Sequence, residues 1–306
     1  EHLVMGLSLA IALNNFNKKV SIYCIDENAA NKLKKLKFSN LNIFSPEDFQ
    51  DEKLKSLKKT RSASEFCWTC KSYALEHSLM HDKSLDWAIY LDSDMMIFGD
   101  PDEALPKNED VLLTPHNFSS GFKIFENHVG LFNAGYIGIK NSNNGLKALS
   151  WWKKKCLEKC SSIPENGLYA DQAYLNKMTK KYSFVNTHIN KGLNAGPWNI
   201  CDKNIKDESG TITVDNQFLL IYHMQGLKLY NFGIVNFYDG GIKIPTQVKN
   251  LIYKPYLRHL YKTSSMLDKG FLSLIFVRLT LYNFLIELKR MLFGRSNLYF
   301  TNNLRT

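Results

Sequence analysis

Apolar residues along the chain alternate between short runs typical of buried strands and longer stretches with helical spacing. A helix is predicted from Leu3 to Asn14, and a short buried strand from Val20 to Ile25. A second helix (Glu27 to Lys37) and a second strand (Asn42 to Phe44) come next. Because strands and helices alternate, the pattern predicts parallel βαβ units. Since helical spacing already begins at His2, we expect a first strand to precede this sequence.

The pattern continues over the middle of the chain and changes near Pro245. Further predicted elements are helix Glu65 to Met80, strand Ile89 to Leu91, strand Val111 to Thr114, strand Gly130 to Lys140, helix Gly145 to Lys159, helix Leu168 to Thr179 and strand Phe218 to His223. We therefore expect an α/β domain over residues 1–245 and a helical extension over residues 246–306. The apolar segment Phe271 to Phe293 is predicted to lie along a membrane surface, to cover the domain's own core or to form a dimer seam.

Composition and charge narrow the possible partners. The 306 residues carry a net charge of +10 and many aromatic side chains, which predicts an ordered protein with a negatively charged partner. Anionic lipid and a nucleotide substrate both qualify, whereas no nucleic-acid-binding motif occurs, so no nucleic-acid partner is expected. The six cysteines are interpreted as free thiols of a reducing cytoplasm, because Cys67 and Cys70 lack the second pair of a zinc ribbon. No apolar run is long enough to predict a membrane span.

Two carboxylates follow a predicted strand where residues 89–101 read I-Y-L-D-S-D-M-M-I-F-G-D-P. Asp92 and Asp94 thus lie at the carboxyl end of a strand, where open α/β sheets bind ligands. Alternation places both side chains on one side and Ser93 on the other. Carboxylates this close repel each other unless a cation lies between them, and hard divalent ions also bind diphosphates. Alternatively, the motif only caps a helix or begins a turn.

His223 ends the last predicted strand of the α/β domain. An imidazole beside two carboxylates suits manganese better than calcium or a structural zinc site. In the segment that follows, Gly226 lets the backbone approach a phosphate, and Lys228 supplies a positive charge. This segment is interpreted as a metal ligand followed by a phosphate clamp, although a histidine at a strand end can also be a hydrogen-bonded structural residue.

Four segments together resemble metal-dependent glycosyltransferases of the GT-A fold, and family 8 most of all. They are Tyr90-Leu-Asp-Ser-Asp94 with Asp100-Pro101, Phe132-Asn-Ala-Gly135, Asp171-Gln-Ala-Tyr-Leu-Asn176 and Tyr222-His-Met-Gln-Gly-Leu-Lys228. They occur in the family's order over residues 1–230. The resemblance implies an α/β fold with a Rossmann-like mixed sheet flanked by helices, of the kind found in nucleotide-diphospho-sugar transferases.

A closer resemblance is to uncharacterised bacterial glycosyltransferases encoded with surface polysaccharide genes. It rests on Phe66-Cys-Trp-Thr-Cys70, Trp151-Trp-Lys-Lys-Lys-Cys156 and Asn194-Ala-Gly-Pro-Trp-Asn199. The sequence departs from the family at His223-Met-Gln-Gly226, where His-Phe-His-Gly is usual, and at Ala134, where Ser or Val is common. The sugar pocket is therefore expected to differ.

The resemblance implies how a donor would be bound. Asp92, Asp94 and His223 would hold Mn²⁺, or Mg²⁺, on the diphosphate of a nucleotide-sugar donor. Gly226 and Lys228 would contact its phosphates, and the metal with Lys228 would stabilise charge on the leaving nucleoside diphosphate.

The resemblance also implies sugar-binding positions. Asn133 and Gly135 would line the donor sugar, or else only permit a tight bend in their strand. Asp171 and Gln172 would face the anomeric carbon, unless Asp171 only caps its helix.

The predicted roles of three other residues are less definite. Trp198 and Asn199 are expected either in the core or on an acceptor platform. Lys71 is expected to be a solvated helix residue rather than a phosphate contact.

The predicted function is transfer of a hexose from a nucleotide-diphosphate sugar to a bacterial cell-surface glycan, lipopolysaccharide or capsule, with retention of anomeric configuration. A lipid-linked acceptor would place the protein in the cytoplasm, at the anionic inner face of the membrane. One alternative is a sugar-nucleotide nucleotidyltransferase, although the Gly-rich phosphate loop usual near the amino end of such enzymes does not occur here. The other is a catalytically silent scaffold at the membrane.

Overall fold

The computed structural model describes residues 2–38, 40–188, 190–230, 233–267 and 279–301. The α-helices are α1 (His2–Asn14), α2 (Glu27–Lys34), α3 (Pro46–Phe49), α4 (Glu52–Leu57), α5 (Ala63–His81), α6 (Glu126–Val129), α7 (Asn143–Glu158), α8 (Ala173–Lys181), α9 (Thr246–Val248), α10 (Lys254–Ser264) and α11 (Leu281–Leu292). The strands are β1 (Val20–Tyr23), β2 (Leu41–Phe44), β3 (Trp87–Leu91), β4 (Met95–Ile97), β5 (Val111–Pro115), β6 (Phe132–Lys140), β7 (Val185–Thr187), β8 (Ile205–Glu208), β9 (Thr211–Val214), β10 (Gln217–Phe218), β11 (Ile221–His223), β12 (Lys228–Leu229), β13 (Ile234–Asn236) and β14 (Leu298–Phe300). Short 3₁₀ helices span Pro101–Ala104 and Ser120–Phe125.

A mixed four-stranded sheet in the order β3-β6-β5-β7 forms the centre of the fold. Strand β6 runs antiparallel to β3 and β5, whereas β5 and β7 are parallel. Every residue of β6 except its last is buried, as expected for a strand covered on both faces. Strands β1 and β2 pair in parallel in a separate sheet. The predicted parallel arrangement is thus confirmed for β1 and β2, and the central sheet is mixed, as the resemblance implied.

A two-stranded antiparallel ladder of β4 and β11 connects distant parts of the chain. Its register pairs Met95 with His223. The backbone N–H of Met224 continues the ladder by donating to the carbonyl oxygen of Asp94 at 2.7 Å. Because β4 begins directly after Asp94, this pairing brings the predicted acidic segment beside the predicted histidine.

Helices cover both faces of the central sheet. On one face, α5 and α7 pack on the sheet and on each other. Trp152 of α7 is fully buried there, and its replacement by alanine would cost roughly 3–5 kcal/mol. On the other face, Leu9 and Leu13 of α1 pack with side chains of β3, β4 and β6.

Two elements begin at least three residues later than predicted, for local reasons. Helix α8 begins at Ala173 rather than at Leu168, because Ala170 has a φ of 51°, which a right-handed helix excludes. Strand β11 begins at Ile221 rather than at Phe218, since Phe218 pairs in the hairpin of β9 and β10.

The residues after Pro245 pack on the preceding part of the chain. Leu257 of α10 lies in the same buried core as Val4 of α1, and β14 pairs with β13. The expected domain boundary at residue 245 stays a prediction. Apolar side chains from before and after this residue pack in one buried core. Helix α11 covers part of the apolar segment predicted from Phe271 to Phe293, whereas residues 271–278 lie outside the described ranges. Among the described helices, none combines the length and apolar content that a bilayer crossing requires.

Candidate metal centre and cavity

The structure brings together Asp92, Asp94 and His223. Asp92 and Asp94 occupy the turn between β3 and β4, and His223 is the last residue of β11. The Nε2 atom of His223 lies 3.1 Å from Oδ1 of Asp94 and 3.9 Å from Oδ2 of Asp92. One ligand atom from each residue lies within 4.8 Å of the other two, which is close enough to hold a single ion.

The charges of this cluster are strongly coupled. Burial alone would raise the pKa of the Asp94 carboxyl, but the neighbouring His223 lowers it to about 2. Burial alone would lower the pKa of His223, but Asp94 and then Asp92 raise it. The carboxylates therefore favour a positive charge at this position, which a protonated imidazole or a divalent cation would supply.

The donor atoms and the space around them fit a transition-metal ion. Carboxylate oxygens with one imidazole nitrogen suit Mn²⁺. The ring of His223 is held edge-to-face against Trp198 at 5.3 Å between ring centroids. Gly135 packs against the other side of the cluster, where an added Cβ would lie 2.8 Å from Nδ1 of His223 and 2.7 Å from Cε of Met95. The cluster is therefore tightly supported by its surroundings.

A buried lysine links Asp92 to Asp171. The Nζ atom of Lys71 lies 3.0 Å from Oδ1 of Asp92 and 3.6 Å from Oδ2 of Asp171, and it donates to the carbonyl oxygen of Ala134 at 3.2 Å. The hydroxyl of Tyr90 donates to the same Asp92 oxygen at 2.9 Å. Lys71 is only 4% exposed, so the expectation of a solvated helix residue is wrong.

Asp171 does not cap a helix. Helix α8 is preceded by Gln172, and no side chain caps its first turn. Asp171 is buried, and its Oδ2 atom has no hydrogen-bond partner in the described part of the structure. Burial raises the pKa of Asp171 to about 6, with Lys71 opposing the shift and Asp92 adding to it. The Nε2 atom of Gln172 donates to the carbonyl oxygen of Val129 at 2.9 Å.

Asn133 and Gly135 lie at an irregularity of β6. The register with β5 shifts between Leu113 and Thr114, so that the strand bulges next to the candidate metal ligands. The side-chain oxygen of Asn133 accepts from the backbone N–H of Gly135 at 2.8 Å and from Nδ2 of Asn194 at 2.9 Å. A strand irregularity is therefore present, and both residues also line the cavity described below.

Gly226 lies in the turn after β11, and Lys228 begins β12. Gly226 has a φ of 75°, which favours glycine in this turn. The Nζ atom of Lys228 lies 3.8 Å from Oδ2 of Asp239, and its side chain is 41% exposed. Neither residue lines the cavity, whereas Gln225 between them and His223 does.

Trp198 and Asn199 are built into the core. Both are buried, and both donate a hydrogen bond of 2.8 Å to the carbonyl oxygen of His116, although Trp198 also lines the cavity described below. The imidazole of His116 is stacked on Phe118, and burial lowers its pKa to about 4. Core packing is therefore their observed environment.

A cavity of about 1660 Å³ lies against these groups. Its lining includes the residues Lys71, Asp92, Asp94, Asn133, Gly135, Asp171, Gln172 and His223. Sequence reasoning considered Lys71 but wrongly favoured a solvated position, although Lys71 is the only charged residue between Glu65 and Glu76, and a lone charge in such a stretch indicates burial. It missed Trp68 and Tyr169, which line the same cavity.

The chain was compared with known proteins. No protein-family model matches it. Two uncharacterized proteins of Bacillus subtilis (strain 168) are similar in sequence. YfnF is 29% identical over 261 residues, which covers 82% of this chain and 86% of YfnF. YfnD is 26% identical over 257 residues and covers 82% of each chain.

Among solved structures, the chain is similar to the galactosyltransferase LgtC in complex with donor and acceptor sugar analogs. The TM-score is 0.51 at 14% identity, and the match covers 89% of this chain and 95% of LgtC. Likeness at this identity establishes the fold alone. The chain therefore has the GT-A fold, which confirms the predicted mixed α/β architecture flanked by helices.

Proposed function

We propose that this protein is a metal-dependent glycosyltransferase that moves a hexose from a nucleotide-diphosphate sugar to a glycan acceptor. The observation that carries the proposal is the cluster of Asp92, Asp94 and His223 in the wall of a large cavity of a GT-A fold. The structure of LgtC with donor and acceptor sugar analogs supports sugars as the two ligands.

In this proposal, Asp92, Asp94 and His223 bind Mn²⁺ or Mg²⁺, which when bound offsets the negative charge of the donor diphosphate. Gly226 and Lys228 follow in the next turn and contact the phosphates. The half-exposed side chain of Lys228 supports this assignment, because its contact with Asp239 is long and solvated.

The remaining assigned residues act on the sugars. Asn133 and Gly135 contact the donor sugar from the bulge of β6. Asp171 and Gln172 lie near the anomeric carbon, where a carboxylate orients hydroxyl groups or stabilises developing positive charge. Support comes from the Oδ2 atom of Asp171, which is buried in the cavity wall without a hydrogen-bond partner among the described residues. Such an oxygen is ready to accept from a ligand hydroxyl.

We propose that the transfer retains the anomeric configuration by a front-side reaction. Asp171 is paired with the buried ammonium group of Lys71 at 3.6 Å, and this pairing would weaken its carboxylate as a nucleophile for a double displacement. An NMR spectrum of the product linkage tests this proposal, and a product of opposite anomeric configuration to the donor would overturn it.

The first experiment is a thermal-shift assay with UDP-sugars and GDP-sugars in the presence and absence of Mn²⁺. A glycosyltransferase of this kind is stabilised by one class of donor only when metal is present. The Asp94→Asn variant should lose that stabilisation. A donor that stabilises the wild type and this variant equally, with or without metal, would argue against the proposed site.

The alternatives are separated by thermal shift with other ligands, by an assay of pyrophosphate release and by the biological role of the Asp94→Asn variant. A nucleotidyltransferase would be stabilised by a nucleoside triphosphate with a sugar phosphate and would release pyrophosphate. A catalytically silent scaffold would keep its biological role in the Asp94→Asn variant, whereas a transferase would lose it.

We further propose that the acceptor is a bacterial cell-surface glycan, lipopolysaccharide or capsule, reached from the cytoplasmic side of the membrane. The exposed face of α11 supports membrane contact. Its large apolar side chains and those just after it are 43–79% exposed, namely Leu281, Tyr282, Phe284, Leu285, Leu288, Met291, Leu292 and Phe293. The basic residues Lys289 and Arg295 are exposed beside them. Apolar and basic side chains together suit an anionic bilayer surface.

Vesicle co-sedimentation tests this contact. The protein should bind vesicles that contain phosphatidylglycerol more strongly than vesicles of phosphatidylcholine alone. Leu285→Glu should weaken binding, whereas Ile163→Glu, at an exposed apolar position outside α11, should not. Equal binding by both variants, or a dimer that Leu285→Glu dissociates, would contradict a lipid partner.

A further inference from the structure

Two aromatic rings form part of the cavity wall. Trp68 of α5 and Tyr169, before α8, lie with ring centroids 6.1 Å apart at an interplanar angle of 51°. Both side chains are partly exposed, and both line the cavity that contains the candidate metal centre. Large aromatic rings left partly uncovered inside a cavity are suited to ligand contact.

The position of each ring is tied to the buried pair of Lys71 and Asp171. Trp68 precedes Lys71 by three residues in α5, so the two share one face of the helix. Tyr169 precedes Asp171 by two residues. The aromatic pair therefore adjoins the buried ion pair, and all four residues line one cavity.

The backbone between Tyr169 and Asp171 is held in an unfavourable conformation. Ala170 has a φ of 51°, a left-handed conformation that residues with a Cβ rarely adopt. Its N–H donates to the carbonyl oxygen of Ser161 at 2.8 Å, and Nε1 of Trp152 donates to the carbonyl oxygen of Asp171 at 3.1 Å. Such strain persists only where the surroundings enforce it, and it concentrates at functional sites.

The chemistry of this wall matches a pyranose ring. One face of a hexopyranose presents C–H groups, whose weak positive charge is attracted to the negative face of an aromatic ring. Its edge presents hydroxyl groups, for which the carboxylate of Asp171 is an acceptor, since its Oδ2 atom has only the Lys71 ammonium at 3.6 Å and no hydrogen-bond partner among the described residues. We propose that Trp68 and Tyr169 form a subsite that stacks against a hexopyranose, which rests on the proposed glycosyltransferase function. The sugar is that of the donor or that of the acceptor.

A matched aromatic pair elsewhere serves as the control. Trp151 of α7 and Tyr182 have ring centroids 6.2 Å apart, and Trp151 is also partly exposed. Neither of these residues lines the cavity. Trp68→Leu and Trp151→Leu each keep an apolar side chain but remove the aromatic face. The two variants therefore differ mainly in whether the lost ring lies in the cavity wall.

The experiment compares the wild type, Trp68→Leu, Tyr169→Leu and Trp151→Leu after their folding has been verified by thermal unfolding. Calorimetry with Mn²⁺ gives the Kd of UDP and GDP and of their glucose, galactose and mannose conjugates. Steady-state rates with methyl glycosides give the acceptor KM. We expect Trp68→Leu to raise the Kd of the nucleotide sugar or the acceptor KM about three- to tenfold, with the Kd of the free nucleotide unchanged. The quantity that changes identifies the donor or the acceptor as the stacked sugar.

Two other results would overturn the proposed subsite. If Trp68→Leu and Tyr169→Leu match Trp151→Leu in both quantities while the free nucleotide still binds with Mn²⁺, the subsite is wrong and the proposed function stands. If the wild type binds neither nucleotide with Mn²⁺, the proposed function fails and the subsite fails with it.

Discussion

The ammonium group of Lys71 lies 3.6 Å from a carboxylate oxygen of Asp171, and both side chains are buried. Burial alone would lower the pKa of Lys71, but Asp171 and then Asp92 raise it above its usual value. The lysine therefore stays charged beneath the candidate metal centre. Its charge offsets those of two carboxylates, one of which belongs to the candidate metal centre.

Replacing Lys71 with methionine tests the importance of this charge for stability. Methionine fills similar space but leaves Asp171 and Asp92 without their cation. Removing one partner of a buried ion pair is strongly destabilising, so we expect the free energy of unfolding to fall by about 3 kcal/mol. Urea denaturation at pH 7 measures this loss.

The double variant Lys71→Met with Asp171→Asn is the control. Removing both charges avoids an uncompensated buried carboxylate, so the double variant should be more stable than Lys71→Met alone. If both variants lose the same stability, packing rather than charge determines the effect.

The site was predictable where local sequence determines it. Asp92 and Asp94 follow an apolar strand and are separated by one residue, and His223 ends another strand. The sequence pattern alone therefore indicated that all three residues lie at strand ends. Their convergence depends on the pairing of β4 with β11, which no local pattern encodes. Only the resemblance of several segments to one family brought these residues together in advance.

The remaining differences have tertiary causes. The antiparallel direction of β3 follows from its pairing with β6, which the apolar pattern of either strand does not reveal. Lys71 is buried because α5 packs against both the sheet and α7, and its carboxylate partners lie far away in the sequence. The delayed start of α8 depends on the left-handed Ala170, which the apolar pattern of Leu168 to Thr179 does not reveal.

A pH-dependent loss of stability is expected from His116. Its Nδ1 atom lies 3.2 Å from the carbonyl oxygen of Leu131, and burial lowers its pKa to about 4. In the unfolded chain, histidine has a pKa of about 6.5 and binds its proton first. As the pH falls from about 6.5 to 4, protonation therefore favours unfolding, and stability should decrease by roughly 2–3 kcal/mol from this residue.

Urea denaturation between pH 7 and pH 4 measures this contribution as a difference between proteins. His116→Gln should show a smaller decrease than the wild type, because glutamine does not titrate. His128→Gln, at an exposed position on α6, should follow the wild type. A His116→Gln curve parallel to the wild-type curve would show that acid destabilisation arises elsewhere.

Gly135 is expected to be essential for the shape of the metal centre. An added Cβ would lie 2.7 Å from Oδ1 of Asn133 and 2.8 Å from Nδ1 of His223, so one of these groups must move. We expect Gly135→Ala to weaken Mn²⁺ binding about tenfold, comparable to the loss of a residue that orients a ligand. Gly138→Ala in the same strand meets Leu112 at 3.2 Å and should affect stability but not the Kd of Mn²⁺. Equal Kd values for both variants would contradict a tightly supported cluster.

The metal cluster itself is tested by removing one carboxylate charge without changing its size. Asp94 lies closest to His223, and Asp94→Asn should weaken Mn²⁺ binding by at least about 100-fold, more than the loss of a supporting residue would. Asp102→Asn is the control, because Asp102 pairs with Lys18 at 2.7 Å and its side chain is 48% exposed. Electron paramagnetic resonance of free Mn²⁺ during titration measures both affinities. If Asp94→Asn binds Mn²⁺ as the wild type does, the carboxylate of Asp94 is not a ligand, and the cluster instead stabilises a protonated His223.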